Sequence, residues 1–297
     1  MLSQLPLTET RNAASHDIDY RSTTEILQLI NDEDKHVPIA VEAAIKAIAQ
    51  AVDGIVTRMR QGGRLIYVGA GTSGRLGVVD ASEMPPTFSV PPSWVIGRIA
   101  GGDGAMFKAV EGAEDQSAFG QRDIAELQVT ALDSVIGIAA SGRTPYVVGA
   151  LDETRARGGL TISLCCSPIP STVHDAAEVK IALLTGPEVI TGSTRMKAGT
   201  ATKMALNMIS TAVMIKLGKT YGNLMVDLMP TNVKLRDRAR RIVEAATGVS
   251  QDESQRLLEL CGDVKTAIVV ALSGCTPTEA RLRLDQNQGR VALAIKA

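Results

Sequence analysis

Aromatic residues are scarce, 3% of the chain, and there are only three histidines. So few aromatic faces supply no stacking platform for single-stranded nucleic acid or bare glycans. Neither sign of charge is in excess, since 31 Lys and Arg stand against 32 Asp and Glu, a formal net charge of -1. The broad positive footprint of nucleic-acid binding is therefore missing. No uncharged apolar run reaches the ~18 residues that a membrane span requires. Met1 to Asp19 is polar and mixed in charge, unlike a secretory signal. A cytoplasmic protein is expected, with no nucleic-acid and no membrane partner.

Cysteine and histidine patterns are equally thin. Cys165 and Cys166 are adjacent at the end of an apolar run, while Cys261 and Cys275 stand alone. No pair has zinc-ribbon or redox spacing. His16, His36 and His174 are scattered and read as surface or packing residues. No protein-bound metal and no cofactor are expected.

What remains is a chain of 297 residues, 45% apolar, with enough apolar surface to bury a sizeable core. Its middle alternates short β-branched runs with helical patterns. The runs are Arg64–Val68, Trp94–Ile99, Ser134–Ala139, Leu160–Leu164 and Val179–Leu184. None alternates strictly, as expected for strands covered on both faces. The fold class is therefore α/β, a five-stranded parallel doubly wound sheet. Before it, Thr23–Arg60 carries apolar residues at helical spacing, with Pro38 in the first turn of a second helix. After it, helical cores are expected at Ile242–Ala246, Ser254–Leu260, Val264–Leu272 and Thr278–Leu284. Ser250, Gly262 with Asp263, and Thr276 before Pro277 precede the last three as start signals. The division is an N-terminal helical segment at 1–54, a sheet domain at 55–218 and a C-terminal helical subdomain at 231–297. The basic cluster Lys234, Arg236, Arg238, Arg240 and Arg241 is interrupted by Asp237 and lacks aromatics, so it reads as a solvated helix face.

Ligands of open α/β sheets bind beyond the carboxyl ends of the strands. Two loops there share one chemistry. Gly69-Ala70-Gly71-Thr72-Ser73-Gly74-Arg75 follows the first strand, and Ala140-Ser141-Gly142-Arg143-Thr144-Pro145 follows the third. Glycine lets backbone approach an anion, helix starts offer unpaired amides, and hydroxyls donate to phosphate or sugar oxygens. Taken singly, either loop is equally an ordinary tight turn. The first loop matches the dinucleotide fingerprint G-x-G-x-x-G. However, the second strand ends Ile99-Ala100-Gly101-Gly102 without the acid that would hold a ribose. A phosphosugar fits the pair of loops better.

Two acidic segments lie between the first and third strands. In Asp80-Ala81-Ser82-Glu83-Met84-Pro85-Pro86 the prolines should end a helix and leave Glu83 at a conformational break. In Val110-Glu111-Gly112-Ala113-Glu114-Asp115 the spacing puts Glu111 and Glu114 on one helix face. Residue type alone leaves these acids either as solvated helix residues or as proton carriers.

The strings Gly69–Phe88, Val110–Asp115, Ile138–Val147 and Gly186–Lys203 resemble the N-acetylmuramic acid 6-phosphate etherase family, built on the sugar isomerase (SIS) domain. The last is shared with the related glucokinase regulatory protein. The resemblance runs from Leu7 into the C-terminal helices. The family's TE-x-RN stands here as Thr8-Glu9-Thr10-Arg11-Asn12, and its later Leu-Asp pair appears as Ile18-Asp19.

The resemblance implies cleavage of a D-lactyl ether by elimination and hydration, in peptidoglycan recycling and amino-sugar catabolism, by a homodimer. It assigns Glu83 as proton donor and Glu114 as the second acid/base, with Glu111 its rival. Thr72, Ser73 and Gly74 in the first loop, and Ser141, Gly142 and Arg143 in the second, become substrate-binding, and Thr144 is added to them. Lys197 and Lys203 are read as surface or subunit-interface residues, in preference to a Schiff base with the open-chain aldehyde. A sugar-phosphate sensor without chemistry and an aldose–ketose isomerase are the alternatives.

Overall fold

The computed structural model describes residues 6–108, 110–228 and 233–297. The expected start of the C-terminal subdomain, at 231, falls outside the described residues, as do the first five residues of the N-terminal segment. The chain divides into two compact units, Met1–Ser82 with Ser93–Ser210, and Glu83–Pro92 with Thr211–Ala297.

The first unit opens with three short 3-10 turns between Leu7 and Tyr20, followed by α1 (Thr23–Asp34), α2 (His36–Ala43) and α3 (Ile45–Met59). Ser22 starts α1 with a reciprocal cap, its hydroxyl accepting from the Glu25 amide. Pro38 sits in the first turn of α2, as expected. From there strands and helices alternate: β1 (Leu65–Gly69), α4 (Gly71–Phe88), β2 (Val95–Ile99), α5 (Ser117–Glu126), β3 (Ser134–Ile138), α6 (Pro145–Ala156), β4 (Leu160–Cys165), α7 (Thr172–Asp175) and β5 (Val179–Ala182). A long helix, α8 (Lys197–Lys216), closes the series.

All five apolar runs are strands of one parallel sheet in the order β2-β1-β3-β4-β5. Leu65 pairs with Val95 on one side and Ser134 on the other, Ser134 with Leu160, and Ile162 with Val179. The three central strands β1, β3 and β4 are buried throughout, which explains their unbroken apolar character. The edge strands β2 and β5 are only partly covered. Ile66, Val68, Val135, Ile124, Tyr146 and Leu151 form one buried cluster. Cys165 and Cys166 are buried at the end of β4, as packing residues.

Two polar groups pin the sheet from below. Asp133, 2% exposed, accepts from Arg64 Nε at 3.0 Å, from the Arg64 amide at 2.8 Å and from the Thr130 amide at 2.8 Å. Arg64 and Asp133 immediately precede β1 and β3, so this pair fixes their register. Burial alone would raise the Asp133 carboxyl, but the Arg64 guanidinium and the two amides outweigh it and hold the group below its ordinary value.

In the second unit α8 leads to a two-stranded hairpin, β6 (Thr220–Tyr221) and β7 (Leu224–Met225). The helices α9 (Val233–Thr247), α10 (Gln251–Cys261), α11 (Val264–Ser273), α12 (Pro277–Gln286) and α13 (Val291–Ala294) follow. The expected start signals are real caps. Ser250 and Asp263 accept from the amides of Glu253 and Thr266, and Thr276 forms a reciprocal box with Glu279. Val243, Leu257, Val264, Ala267 and Ile268 meet in a separate apolar core. In the basic cluster Arg240 pairs with Asp237 at 2.8 Å and with Glu244, while Arg241 also pairs with Asp237. These are i,i+3 and i,i+4 pairs along α9, the signature of a solvated helix face.

Asp133→Asn should lower stability at neutral pH by about 3 kcal/mol, since it breaks a buried ion pair. The folded-state carboxyl is depressed, so its contribution is complete above the unfolded value of about 3.9 and is lost as pH falls through the folded one. Thermal unfolding of parent and variant should therefore converge below about pH 4. A stability gap that stays constant down to strongly acidic pH contradicts this role.

Candidate active site at the strand-order switch

The sheet order turns between β1 and β3, where successive crossovers leave on opposite sides and their loops part. A crevice at such a point is where open α/β sheets hold ligands. Both glycine and hydroxyl loops lie there, one after each of these two strands.

In the first loop β1 ends at Gly69 and α4 begins at once, with Gly71 at φ +53°. A Cβ on Gly74 would stand 2.5 Å from the Gly69 carbonyl oxygen, so helix and strand meet at a distance only glycine permits. Gly74 is thus a buried packing residue. Thr72 and Ser73 occupy the helix's first turn, half-buried, where the amides have no carbonyl one turn back inside the helix. The wall of the adjacent cleft is made by Gly71 and Arg75 instead. Arg75 donates to the carbonyls of Ala105 at 2.8 Å and Met106 at 2.9 Å, which fixes the segment after β2 over the loop.

That segment carries the second acidic motif, and its conformation differs from the expected helix. Gly112 is left-handed, φ +72°, and Ala113–Asp115 forms a single 3-10 turn. A left-handed glycine between Glu111 and Glu114 breaks the periodicity that would have stacked them on one face. Both carboxylates nevertheless line one cleft of about 210 Å3 with Gly71 and Arg75, and both are exposed to solvent. Glu114 and its rival Glu111 are therefore brought to the first loop together.

Glu83 also departs from expectation. Helix α4 runs straight through Pro85 and Pro86 to Phe88, so no break occurs at Glu83. The two prolines are adjacent and lie in the last turn, so only the carbonyls of Ala81 and Ser82 lose their partners one turn on. The chain then turns at Ser89, φ +50°. Glu83 is an exposed helical residue and the first residue of the second unit. Its neighbour Asp80 is a structural acid, 4% exposed, accepting from Tyr67 Oη, Asn207 Nδ2 and Ser210 Oγ.

The second loop is clamped more firmly than the first. Gly142, φ +71°, is buried, and its carbonyl accepts from the Val173 amide at 3.0 Å and Thr172 Oγ1 at 3.1 Å. Ser141 Oγ accepts from the Arg143 amide at 3.4 Å, and Thr144 precedes α6 as its cap residue, with Pro145 in the first helical position. Ser141 and Arg143 line a second cleft of about 530 Å3 together with Ser167, Ser171 and Thr172 from the β4–α7 connection. A Cβ on Gly142 would meet Ser167 Oγ at 2.2 Å and Ser171 Oγ at 2.7 Å, so only glycine fits this junction.

Ser167 was not legible in the sequence, nor was the job of the Gly186–Lys203 string. Glu188, fully buried, accepts from the Lys197 and Ala198 amides at 2.9 Å each and so occupies the start of α8. Burial pushes its carboxyl up, against the pull of those amides. Lys197 is not a surface residue: it is 2% exposed and its Nζ pairs with Glu33 at 2.5 Å. Asn12 of the TE-x-RN motif donates to the same Glu33 carboxylate at 2.8 Å, and the Gly192 amide donates to the Thr8 carbonyl. The two strings that carry the resemblance thus bind one another. Lys203 is exposed. Among the described residues no group of three or more His, Cys, Asp or Glu side chains is arranged for a metal ion.

Comparison with known proteins bears on the fold and on the family. The model of the SIS domain matches residues 117–212, and that of the glucokinase regulatory protein N-terminal SIS domain matches residues 47–155. A phosphoheptose isomerase from Francisella tularensis shares the fold, with a TM-score of 0.53 at 19% identity over 65% of this chain and 98% of its own. A phosphosugar isomerase of Bacteroides fragilis NCTC 9343, described as putative, superposes with a TM-score of 0.50 at 19% identity over 66% of this chain and 91% of its own. At such identity these two speak for the fold alone. N-acetylmuramic acid 6-phosphate etherases of Yersinia pestis (strain Pestoides F) and Yersinia pseudotuberculosis serotype O:1b (strain IP 31758) are each 54% identical over 290 residues, 97% of this chain and 98% of theirs. With identity at that level along nearly its whole length, the chain belongs to the N-acetylmuramic acid 6-phosphate etherase family.

Proposed function

We propose that the chain cleaves the D-lactyl ether of N-acetylmuramic acid 6-phosphate, with Glu114 acting at C2 and Glu83 protonating the departing lactate. The near full-length identity to etherases carries the reaction. The cleft that joins Glu111 and Glu114 to the first loop supports the assignment of a base there.

An unactivated ether is a poor leaving group, and the substrate supplies the activation. Ring opening places an aldehyde at C1, which acidifies the proton on C2. Glu114 takes that proton, the C2 electron pair forms a double bond to C3, and the C3–O bond breaks. The departing oxygen takes a proton from Glu83 and leaves as D-lactate. Water then adds to the α,β-unsaturated aldehyde, its hydroxyl to C3 and a proton to C2. One water is consumed and N-acetylglucosamine 6-phosphate is formed. General acid–base catalysis of this kind contributes about 10²–10⁴-fold.

The 6-phosphate is held by the two loops. Thr72 and Ser73 present the start of α4, with Gly74 packed against β1 behind them, and Ser141, Gly142, Arg143 and Thr144 present that of α6. The start of α8 is already filled by the Glu188 carboxylate, which leaves α4 and α6 to receive the anion. The protein works in the cytoplasm on murein fragments, as a homodimer. No helix among the described residues is long and apolar enough to cross a membrane. An apolar groove lined by Ile39, Ala43 and Leu184, beside the edge strand β5, offers a surface for a second copy.

Two measurements separate these roles. In heavy water Glu83→Ala should lose lactate release yet still exchange the C2 proton for deuterium, read by proton NMR of the sugar, whereas Glu114→Ala should lose both. Exchange lost only in Glu83→Ala would reverse the roles, and cleavage retained in both variants would move the base to Glu111. For the anion site, Ser141→Ala should raise KM by about tenfold or more, the worth of one hydrogen bond to a charged oxygen. Unphosphorylated N-acetylmuramic acid cleaved as well as the phosphorylated sugar would refute the loop assignment.

A further inference from the structure

One polar group at the second cleft is accounted for by neither the fold nor the reaction scheme. Ser167 is 3% exposed and its Oγ has no hydrogen-bond partner. Buried hydroxyls are almost always paired, and Ser167 lines the cleft, so a turn about its side-chain bond toward the cleft would give this hydroxyl a ligand as partner. Its neighbours are satisfied: Thr172 Oγ1 donates to the Gly142 carbonyl, and Ser171 Oγ accepts from the His174 amide at 3.4 Å.

The Ser167 backbone is held in place by His174, which is fully buried. Its Nε2 lies 3.3 Å from the Ser167 carbonyl and its Nδ1 2.7 Å from Ser163 Oγ. A nitrogen facing a carbonyl must carry the proton, so Nε2 donates to Ser167 and Nδ1 accepts from the Ser163 hydroxyl. The imidazole therefore bridges β4 to the loop and fixes where the Ser167 side chain stands. Around that side chain the cleft wall carries polar groups, with Ser141 and Arg143 on the second loop and Ser171 and Thr172 beside Ser167. Asp175, the one acid of the wall among the described residues, lies 3.7 Å from Lys180 Nζ and is thereby balanced.

We propose that Ser167 is a further substrate-binding residue, donating its hydroxyl to a phosphoryl oxygen of the sugar phosphate held at the second loop. The inference rests on the placement of the phosphate at Ser141–Thr144. Gly142 belongs to the same device, because any side chain there would strike the Ser167 hydroxyl. His174 is a positioning residue that sets the Ser167 peptide.

The test uses the full-length enzyme with Ser167→Ala, reading KM for N-acetylmuramic acid 6-phosphate, the inhibition constant of inorganic phosphate and the thermal midpoint. KM and the phosphate constant should rise together by about tenfold, more than any change in kcat. The midpoint should not fall, because the lost hydroxyl has no partner in the free protein. Unchanged KM and phosphate inhibition would overturn the role, as would a raised KM with phosphate inhibition untouched. Ser141→Ala run in parallel separates the two levels. If it raises both constants while Ser167→Ala does not, only Ser167 is withdrawn. If neither variant moves either constant, the placement of phosphate at the second loop falls with it.

Discussion

Everything at this site follows from β1 having β2 on one side and β3 on the other, all three running parallel. Parallel neighbours need crossovers, and crossovers that leave a strand pair in opposite directions cannot cover the gap between their loops. The gap is therefore guaranteed by strand order, before any side chain is chosen. What the sequence adds is the means to hold it open. The Arg64–Asp133 pair fixes β1 against β3 at the far end of the strands; at the near end glycines 69 and 74 allow a backbone contact, and Gly142 a contact with the Ser167 and Ser171 hydroxyls, that a methyl group would block.

Around that gap the chemistry is sorted by strand. The loops after β1 and β2 bring together Gly71, Arg75, Glu111 and Glu114. The loops after β3 and β4 bring together Ser141, Arg143, Ser167, Ser171 and Thr172. One side presents carboxylates that can carry protons; the other is dominated by donors that suit a dianion. An ether cleaved by way of a C2 carbanion needs both, because proton transfer at C2 and C3 is productive only while the 6-phosphate anchors the open-chain sugar.

Most of the scaffold was legible in the sequence because its signals are local. Unbroken apolar runs marked the buried strands, and Ser250, Asp263 and Thr276 marked helix starts through the amides they were bound to satisfy. Both loops beyond β1 and β3 were visible as glycine among hydroxyls. The misreadings arose where a local rule met a specific backbone. Gly112 adopts a left-handed turn that periodicity could not foresee, and Pro85 with Pro86 are tolerated because a helix end has few bonds left to lose. Lys197, Glu188 and Ser167 were opaque for another reason. Their partners, Glu33, the amides of α8 and the Gly142 junction, lie on other elements, and no spacing within one segment reports a contact across the sheet.

The proposed roles put the 6-phosphate between the two glycine and hydroxyl loops, after β1 and β3, and the reacting carbons beside Glu114. A crystal structure with N-acetylglucosamine 6-phosphate bound tests this placement most directly. Phosphoryl oxygens are expected against the hydroxyls of Thr72, Ser73, Ser141 and Ser167, with C2 of the sugar facing Glu114. A phosphoryl group seated in the Glu111–Glu114 cleft, with the sugar directed away from those carboxylates, would contradict it.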